Sequence, residues 1–270
     1  MAVDLIEQTL ERAPHWTEAR FTLAETLAEV GRRDDAVAAY RAYLERDPTD
    51  SMGAAARLHL LGVGEVPDLS PAYVRRLFDQ YAPRFEGALL DALRYRVPQL
   101  ICDSLVRHAH GRRFTRALDL GCGTGLTGAA VRDIVDQLYG VDLSPGMLAA
   151  AASKAIYDQL TECDIMAALN QDAHYDLILA GDVLVYIRDL SPVLAAVRST
   201  LASGGVFAFS LEHADGTDVV LGHGQRYRHG VDLMARLISA HGFTAADHCR
   251  TPIRREGHDE VIGNIYLLTR

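Results

Sequence analysis

The chain has 270 residues, 49% hydrophobic and 23% charged, a globular composition with room for one sizeable core and a smaller appendage. Its formal net charge of −9 argues against a nucleic-acid surface, which needs clustered positive charge to displace counterions from phosphates. The one strongly basic stretch, "GRRFTR" at 111–116, reads as a solvated loop.

The first residues, "MAVDLIEQTLERAPHW", carry acids among their apolar positions, unlike a signal peptide, and no apolar stretch is long enough to span a bilayer. The cysteines at 102, 122, 163 and 249 lie far apart without metal-ligand spacing, so free thiols and no bound metal are expected. A cytoplasmic location follows as an expectation, with neither membrane nor nucleic acid as partner. Lys154 is the single lysine among 27 basic residues, and the skew points to no function.

In chain order, "LERAP" at 10–14 returns as "LERDP" at 44–48, an offset of 34, the tetratricopeptide period. Between the echoes Leu23, Ala24, Leu27, Gly31, Ala36, Tyr40 and Leu44 stand where two antiparallel helices pack, so one unit is expected over 17–50, with flanking helices at about 2–12 and 51–61. So short an array should lean on the main domain or on a second subunit. It serves either as a docking groove for a protein or peptide, or as a helical cap that stabilises or dimerises. The segment "GVGEVPDLSP" at 62–71 reads as linker, dividing a helical domain 1–66 from a domain 67–270. The latter opens with a helical extension over 67–112, with apolar spacing at Val74, Leu77, Phe78 and Tyr81 and a further helix from Val97 to about His108.

From 113 onward strands and helices alternate: "RALDLG", a helix over 126–136, "LYGVDL", a helix from Pro145, "LTECDI", "YDLILAGDVL", a helix over 190–202 and "GGVFAFSLE". Such alternation means a parallel sheet with crossover helices, whose ligands bind beyond the carboxyl ends of the strands. Asp119, Asp142, Asp164 and Asp182 all fall at that edge. In "ALDLGCGTGLTG" at 117–128, Gly123, Gly125 and Gly128 satisfy the dinucleotide fingerprint. Asp119 weighs against a dinucleotide, because a fixed carboxylate beside the turn would repel a pyrophosphate. A ligand with an ammonium for Asp119 and a carboxylate for the loop N–H groups fits both features, and S-adenosylmethionine is such a ligand. Asp142 could accept from vicinal ribose hydroxyls. Asp164 could accept from an adenine amino group or simply cap a helix.

The segments "LDLGCGTG", "GVDLSPGML", "CDI", "YDLILAGDVLVYI" and "LASGGVFAFS" resemble the successive motifs of class I S-adenosylmethionine-dependent methyltransferases over roughly 67–270, and the arrangement is similar to a subgroup of predicted methyltransferases with tetratricopeptide repeats. The resemblance implies an α/β fold: a Rossmann-like seven-stranded sheet whose last strand is antiparallel, closed by "TAADHCRTPIRR" and "EVIGNIYLLTR", behind an all-α tetratricopeptide-like segment. By position, Asp119, Gly121, Gly123, Gly125, Asp142, Leu143, Met147, Asp164, Ile165 and Asp182 would line the donor site. Tyr81, and Tyr95 or Arg96, would reach the methionine carboxylate.

A general base for the acceptor is sought first in His213, with His223, Tyr227, His229, Asp182 and Tyr186 as other candidates. The 212–230 loop would form part of the acceptor pocket, where Arg226 and Arg228 suit an acidic acceptor. The stretch "GDVLVYI" lacks the Asn/Asp-Pro-Pro-aromatic motif of related amino-methylating enzymes, which disfavours nucleobases and glutamine. O- or carboxyl-methylation of a small molecule, with S-adenosylhomocysteine as product, is the leading expectation. A protein acceptor recruited by the helical repeats, a non-catalytic cofactor-binding scaffold and an NAD-dependent oxidoreductase are the alternatives.

Overall fold

The computed structural model describes residues 2–87, 93–109, 111–171 and 173–270. These fall into two compact units: residues 1–76 with His223–Gln225, and Leu77–Gly222 with Arg226–Arg270. Ala88–Ala92, into which the apolar helical spacing of the extension was expected to continue, lie outside the described residues.

The first unit contains α1 (Ala2–Arg12), α2 (Thr17–Glu29), α3 (Arg33–Leu44) and α4 (Ala54–Leu60). The expected antiparallel pair is α2 and α3. They approach closely because Ala24 and Ala36 are fully buried between them, and Phe21 meets Tyr40 and Tyr43 edge-on with ring centroids 5.6 and 5.4 Å apart. The turn into α4 is pinned by Asp47, which accepts from Tyr43 Oη at 2.5 Å, Ser51 Oγ at 2.6 Å and the Ser51 N–H at 2.9 Å. Helix α5 (Pro71–Tyr81) follows.

The second unit continues with α6 (Phe85–Gly87) and α7 (Val97–Ala109), then β1 (Phe114–Leu120), α8 (Leu126–Val131), β2 (Val135–Asp142), α9 (Pro145–Ser153), β3 (Gln159–Glu162), α10 (Ile165–Leu169) and β4 (Tyr175–Ala180). After these come α11 (Ser191–Thr200), β5 (Leu201–Ala214), β6 (Val219–Leu221), β7 (Tyr227–Gly230), α12 (Val231–Ala240), β8 (Thr244–Glu256) and β9 (Asp259–Thr269). Strands β3, β2, β1, β4 and β5 pair in parallel in that order, β9 runs antiparallel beside β5, and β8 pairs with β9.

That is the expected seven-stranded arrangement with an antiparallel last strand. Two strands are added to it. The 212–230 segment, expected as a loop, folds back as the short hairpin β6–β7, and β7 pairs with Glu212–Ala214 where β5 runs on past the end of β4. Strand-end positions differ as well: β3 stops at Glu162 because Asp164 caps α10, and β4 stops at Ala180 where the apolar run suggested Leu184.

Side-chain alternation splits the core into two layers. Leu118, Leu120, Ile178, Ala180, Phe207 and Phe209 pack on one face with residues of α11 and α12. Ala117, Leu177, Leu179 and Ala208 pack on the other with Val97, Ile101 and Leu105 of α7. Among the described residues no helix is long and apolar enough to cross a membrane.

Candidate active site

Asp119, at the penultimate position of β1, is 1% exposed. Its Oδ2 accepts from the Tyr157 hydroxyl at 2.7 Å, while Oδ1 is buried without a hydrogen-bond partner among the described residues. Burial pushes its carboxyl up to about 7; the Tyr157 hydroxyl and the Gly128 N–H oppose that rise, and the neighbouring Asp142 adds to it.

The glycines that follow do different things. A Cβ at Gly121 would strike Val183, and one at Gly125 would stand 2.9 Å from the Tyr157 ring. At Gly123, with φ of +54°, nothing lies within 4 Å of where a Cβ would be. Gly121 and Gly125 therefore serve packing, and Gly123 alone of the three presents backbone to open space. Gly128 and Gly140 also face the Tyr157 ring, so three glycines, 125, 128 and 140, make room for one tyrosine. Tyr157 was not foreseen: "KAIYDQL" carries no periodic or motif signal, and its partner Asp119 is 38 residues away.

Asp142 closes β2. One of its oxygens accepts from the Gly123 N–H at 2.9 Å and the other from the Ser144 N–H at 2.8 Å, fixing the loop after β1 against the turn after β2. Burial raises its carboxyl above the ordinary range. Ser144 caps α9 by accepting from the Met147 N–H at 3.1 Å and donates to Asp79 Oδ1 of α5 at 2.6 Å. Asp79 thus ties α5 to the start of α9, a role the sequence did not announce. The single lysine also has a place: Lys154 reaches the Thr124 carbonyl at 2.9 Å and pairs with Glu86 of α6.

Among the other residues expected around the donor, Leu143 is half-buried, Met147 is fully buried in the first turn of α9, and Ile165 is buried at the start of α10. Asp164 is the α10 N-cap, its Oδ1 accepting from the Met166 N–H at 2.7 Å. Tyr81 ends α5 with its ring edge-on to Phe85, and Arg84 stands over that ring.

A second polar cluster lies beyond β4 and β5. Asp182 follows β4 in the left-handed region, φ +61°, unusual for a residue with a Cβ, and its N–H is held by Ser210 Oγ at 2.8 Å. Asp182 Oδ2 is 3.6 Å from Arg254 Nη1, and Asp182 Oδ1 is buried with no partner among the described residues. Arg254, 2% exposed, also binds Glu212 and reaches Glu256 at 3.0 Å. Arg226 donates to the Tyr186 hydroxyl at 3.1 Å and to Glu256 at 3.0 Å.

Tyr95 feels the charges of both this cluster and Asp119. Its segment is held along β8 by backbone bonds from Arg96 N–H to Ile253 O at 2.9 Å and from Arg255 N–H to Leu93 O at 2.7 Å. Burial first, and the fields of Asp182 and Asp119, push its phenol well above the usual value while Arg254 opposes them.

The remaining acceptor-side candidates are not brought into this cluster. His213 points elsewhere because successive strand residues alternate faces: Glu212 meets Arg254, whereas His213 Nδ1 lies 3.1 Å from the Asn264 amide and Nε2 lies 3.1 Å from Asp215 Oδ1. Both ring nitrogens of His213 are thus engaged, and it stands apart from the Asp182–Arg254 cluster. His229 is buried against the Arg188 carbonyl at 3.2 Å, Tyr227 is fully buried, and His223, Arg228 and Arg96 are exposed. Arg254 was missed because "TPIRRE" reads as a surface strand.

Residues 118–207 match a family described as a methyltransferase domain, and residues 2–60 match one described as a tetratricopeptide repeat. The chain is 33% identical over 113 residues to a malonyl-[acyl-carrier protein] O-methyltransferase of Enterobacter lignolyticus, covering 42% of this chain and 45% of the relative. It is 31% identical over 110 residues to a ubiquinone biosynthesis O-methyltransferase of Nitrobacter winogradskyi, covering 40% and 42% respectively. The chain thus spans less than half the length of these curated relatives. The 1,6-didemethyltoxoflavin-N1-methyltransferase of Burkholderia thailandensis, solved with S-adenosylhomocysteine, shares the fold with a TM-score of 0.59 and 21% identity over 77% of this chain and 93% of that one.

Proposed function

We propose that this chain, which carries a class I S-adenosylmethionine-dependent methyltransferase domain and a tetratricopeptide segment, methylates an oxygen of a small-molecule acceptor and releases S-adenosylhomocysteine. The observation that carries the reading is the buried, unpartnered Oδ1 of Asp119 on the strand that leads into the open Gly123 turn. A buried acceptor atom lacking a donor is costly, and the ammonium of an amino-acid moiety supplies that donor with a complementary charge. The open face at Gly123 leaves backbone accessible to the same moiety.

When bound, S-adenosylmethionine supplies a methyl group on a cationic sulfur, already activated for transfer. The domain's own part is then largely positioning. Asp119 takes the ammonium. Asp142 holds Gly123 and Ser144 in place and, with two lone pairs on each oxygen, retains capacity for ribose hydroxyls. Asp182, whose Oδ1 is also unpartnered, takes the acceptor's proton. Two relatives whose names specify O-methylation support oxygen as the accepting atom.

The test is calorimetric titration with S-adenosylmethionine, S-adenosylhomocysteine and NAD. Micromolar binding of both adenosyl ligands without NAD supports the donor site. Binding of NAD alone, or of none of the three, overturns it.

A further inference from the structure

We propose that Lys154 is a positioning residue of the donor site: through the Thr124 carbonyl it holds the glycine turn in the geometry that receives the donor. The inference rests on the donor reading above and assigns a further residue to it.

The stretch that follows α9 delivers two side chains to one turn. Lys154 stands at the carboxyl end of α9, where its charge complements the helix dipole, and its own N–H bonds the Ala151 carbonyl at 3.1 Å. Ala155 then takes φ +52°, the left-handed conformation in which a helix ordinarily ends on glycine. A residue with a Cβ keeps that conformation where its surroundings enforce it. Beyond this sharp exit Tyr157 packs against Gly125 and Gly128 and bonds Asp119, while Lys154 reaches the Thr124 carbonyl at 2.9 Å.

The turn is anchored on either side of its one open residue. The Gly123 N–H is held by Asp142 at 2.9 Å. The Thr124–Gly125 peptide unit is held at both ends, its N–H by the Cys122 carbonyl at 2.8 Å and its carbonyl by Lys154. Between these anchors Gly123, with nothing within 4 Å of where a Cβ would be, has the backbone freedom of an unconstrained glycine. The bond from the ammonium is charge-assisted and stronger than the bond within the turn, so Lys154 supplies the firmer of the two anchors on the Thr124 side. A donor that had to order the turn itself would bind more weakly by that cost.

Glu86 keeps Lys154 at the turn rather than in solvent. Burial raises the Glu86 carboxyl, but the bond from Lys154 outweighs it and holds the acid below its ordinary range, so both members of the pair are charged. The pair is partly exposed, and pairs of that kind contribute little to folding. Loss of Lys154 should therefore register in the ligand and in the turn, with little change in the fold.

The full-length wild type and Lys154→Met are compared by calorimetric titration with S-adenosylmethionine and S-adenosylhomocysteine, by thermal unfolding, and by hydrogen exchange of the peptide spanning residues 121–126 without ligand. Lys154→Met is expected to bind both ligands about tenfold more weakly and to exchange faster in that peptide, the scale of one hydrogen bond to a charged group. Its thermal midpoint is expected to stay within about 4 °C of wild type. Unchanged affinity overturns the inference, and so does weaker binding with unchanged exchange, which would mean that Lys154 touches the donor directly instead of acting through the turn. A measurement on the wild type decides if the variant does not fold. Coupling is reciprocal, so a bound donor must in turn hold Lys154 on Thr124. Lys154 is the single lysine, and acetic anhydride labels only it and the α-amino group, which peptide mapping separates. Labelling of Lys154 should slow with S-adenosylhomocysteine bound; an unchanged rate overturns the inference. A wild type that does not bind S-adenosylhomocysteine sinks the donor reading itself, whereas donor binding that ignores Lys154 removes only its positioning role.

Discussion

Tyr157 donates its hydroxyl to Asp119 Oδ2 at 2.7 Å while its ring fills the space that side chains at 125, 128 and 140 would need. One residue thereby holds both the carboxylate and the glycine turn of the proposed donor site. Tyr157→Phe keeps the ring and deletes the bond, so the fold should survive. Because that bond favours the charged form of Asp119, its loss should weaken S-adenosylmethionine at pH 7 by roughly tenfold, about 1.5 kcal/mol, and move the pH midpoint of binding upward. Calorimetry between pH 6 and 9 checks both; an unchanged midpoint would leave Tyr157 with a packing role alone.

Asp119 stores free energy in the unliganded protein. Burial pushes its folded carboxyl up to about 7 from the ordinary 3.8, so between those pH values the folded state holds more protons than the unfolded one. Stability contributed by this group therefore falls as pH rises from about 4 to 7 and is flat above. Asp119→Asn removes the titration. Measured by urea unfolding without ligand, the variant should gain on wild type between pH 5 and pH 8 by about 2–4 kcal/mol, on the scale of 1.36 kcal/mol per pKa unit. It should nonetheless lose the donor. A constant difference across that range would contradict the buried, ionisable state described here.

Two glycine substitutions separate packing from binding. A methyl at Gly128 would overlap the Tyr157 hydroxyl, so Gly128→Ala should destabilise by about 1–3 kcal/mol and be partly rescued by Tyr157→Phe, which removes the overlapping atom. A methyl at Gly123 meets open space and bears only the left-handed strain of φ +54°, about 1–2 kcal/mol. Gly123→Ala should therefore cost donor affinity more than stability, since its methyl projects into the face open to ligand. Thermal unfolding and donor titration of both variants test the contrast; equal losses of affinity would show that the open face is not the binding face.

What could be read in the sequence was what is local. The 34-residue echo located α2 and α3, and the alternation of apolar runs located β1, β2, β4 and β5, because period and burial are properties of short windows. Asp119 and Asp142 stood out because each ends a strand beside a turn. The hairpin β6–β7 did not, since strands of three and four residues carry too little alternation to register. Tyr157 and Arg254 were invisible for a different reason: the first acts across 38 residues and the second is turned inward by a bulge, and neither relation has a sequence period. Which face of its strand His213 occupies was not legible either: Glu212, its neighbour, meets Arg254, while His213 meets Asn264 on the other face.

The Arg254 network decides whether this buried polarity serves stability or the ligand. Replacing one member of a buried ion pair strands the other, so Arg254→Met should destabilise by about 3–5 kcal/mol because Glu212, almost wholly buried, loses its principal partner. Replacing both with apolar residues of similar volume removes the Glu212 charge that the single variant strands, so Arg254→Met with Glu212→Met should recover part of the loss, Glu256 keeping Arg226 and Asp182 alone losing its cation. If the network existed for stability, the double variant would remain as weak as the single one. The expected outcome is a double variant that unfolds closer to the wild-type midpoint than Arg254→Met does and binds S-adenosylhomocysteine normally, which would show that the charges of Arg254 and Glu212 do not hold the fold.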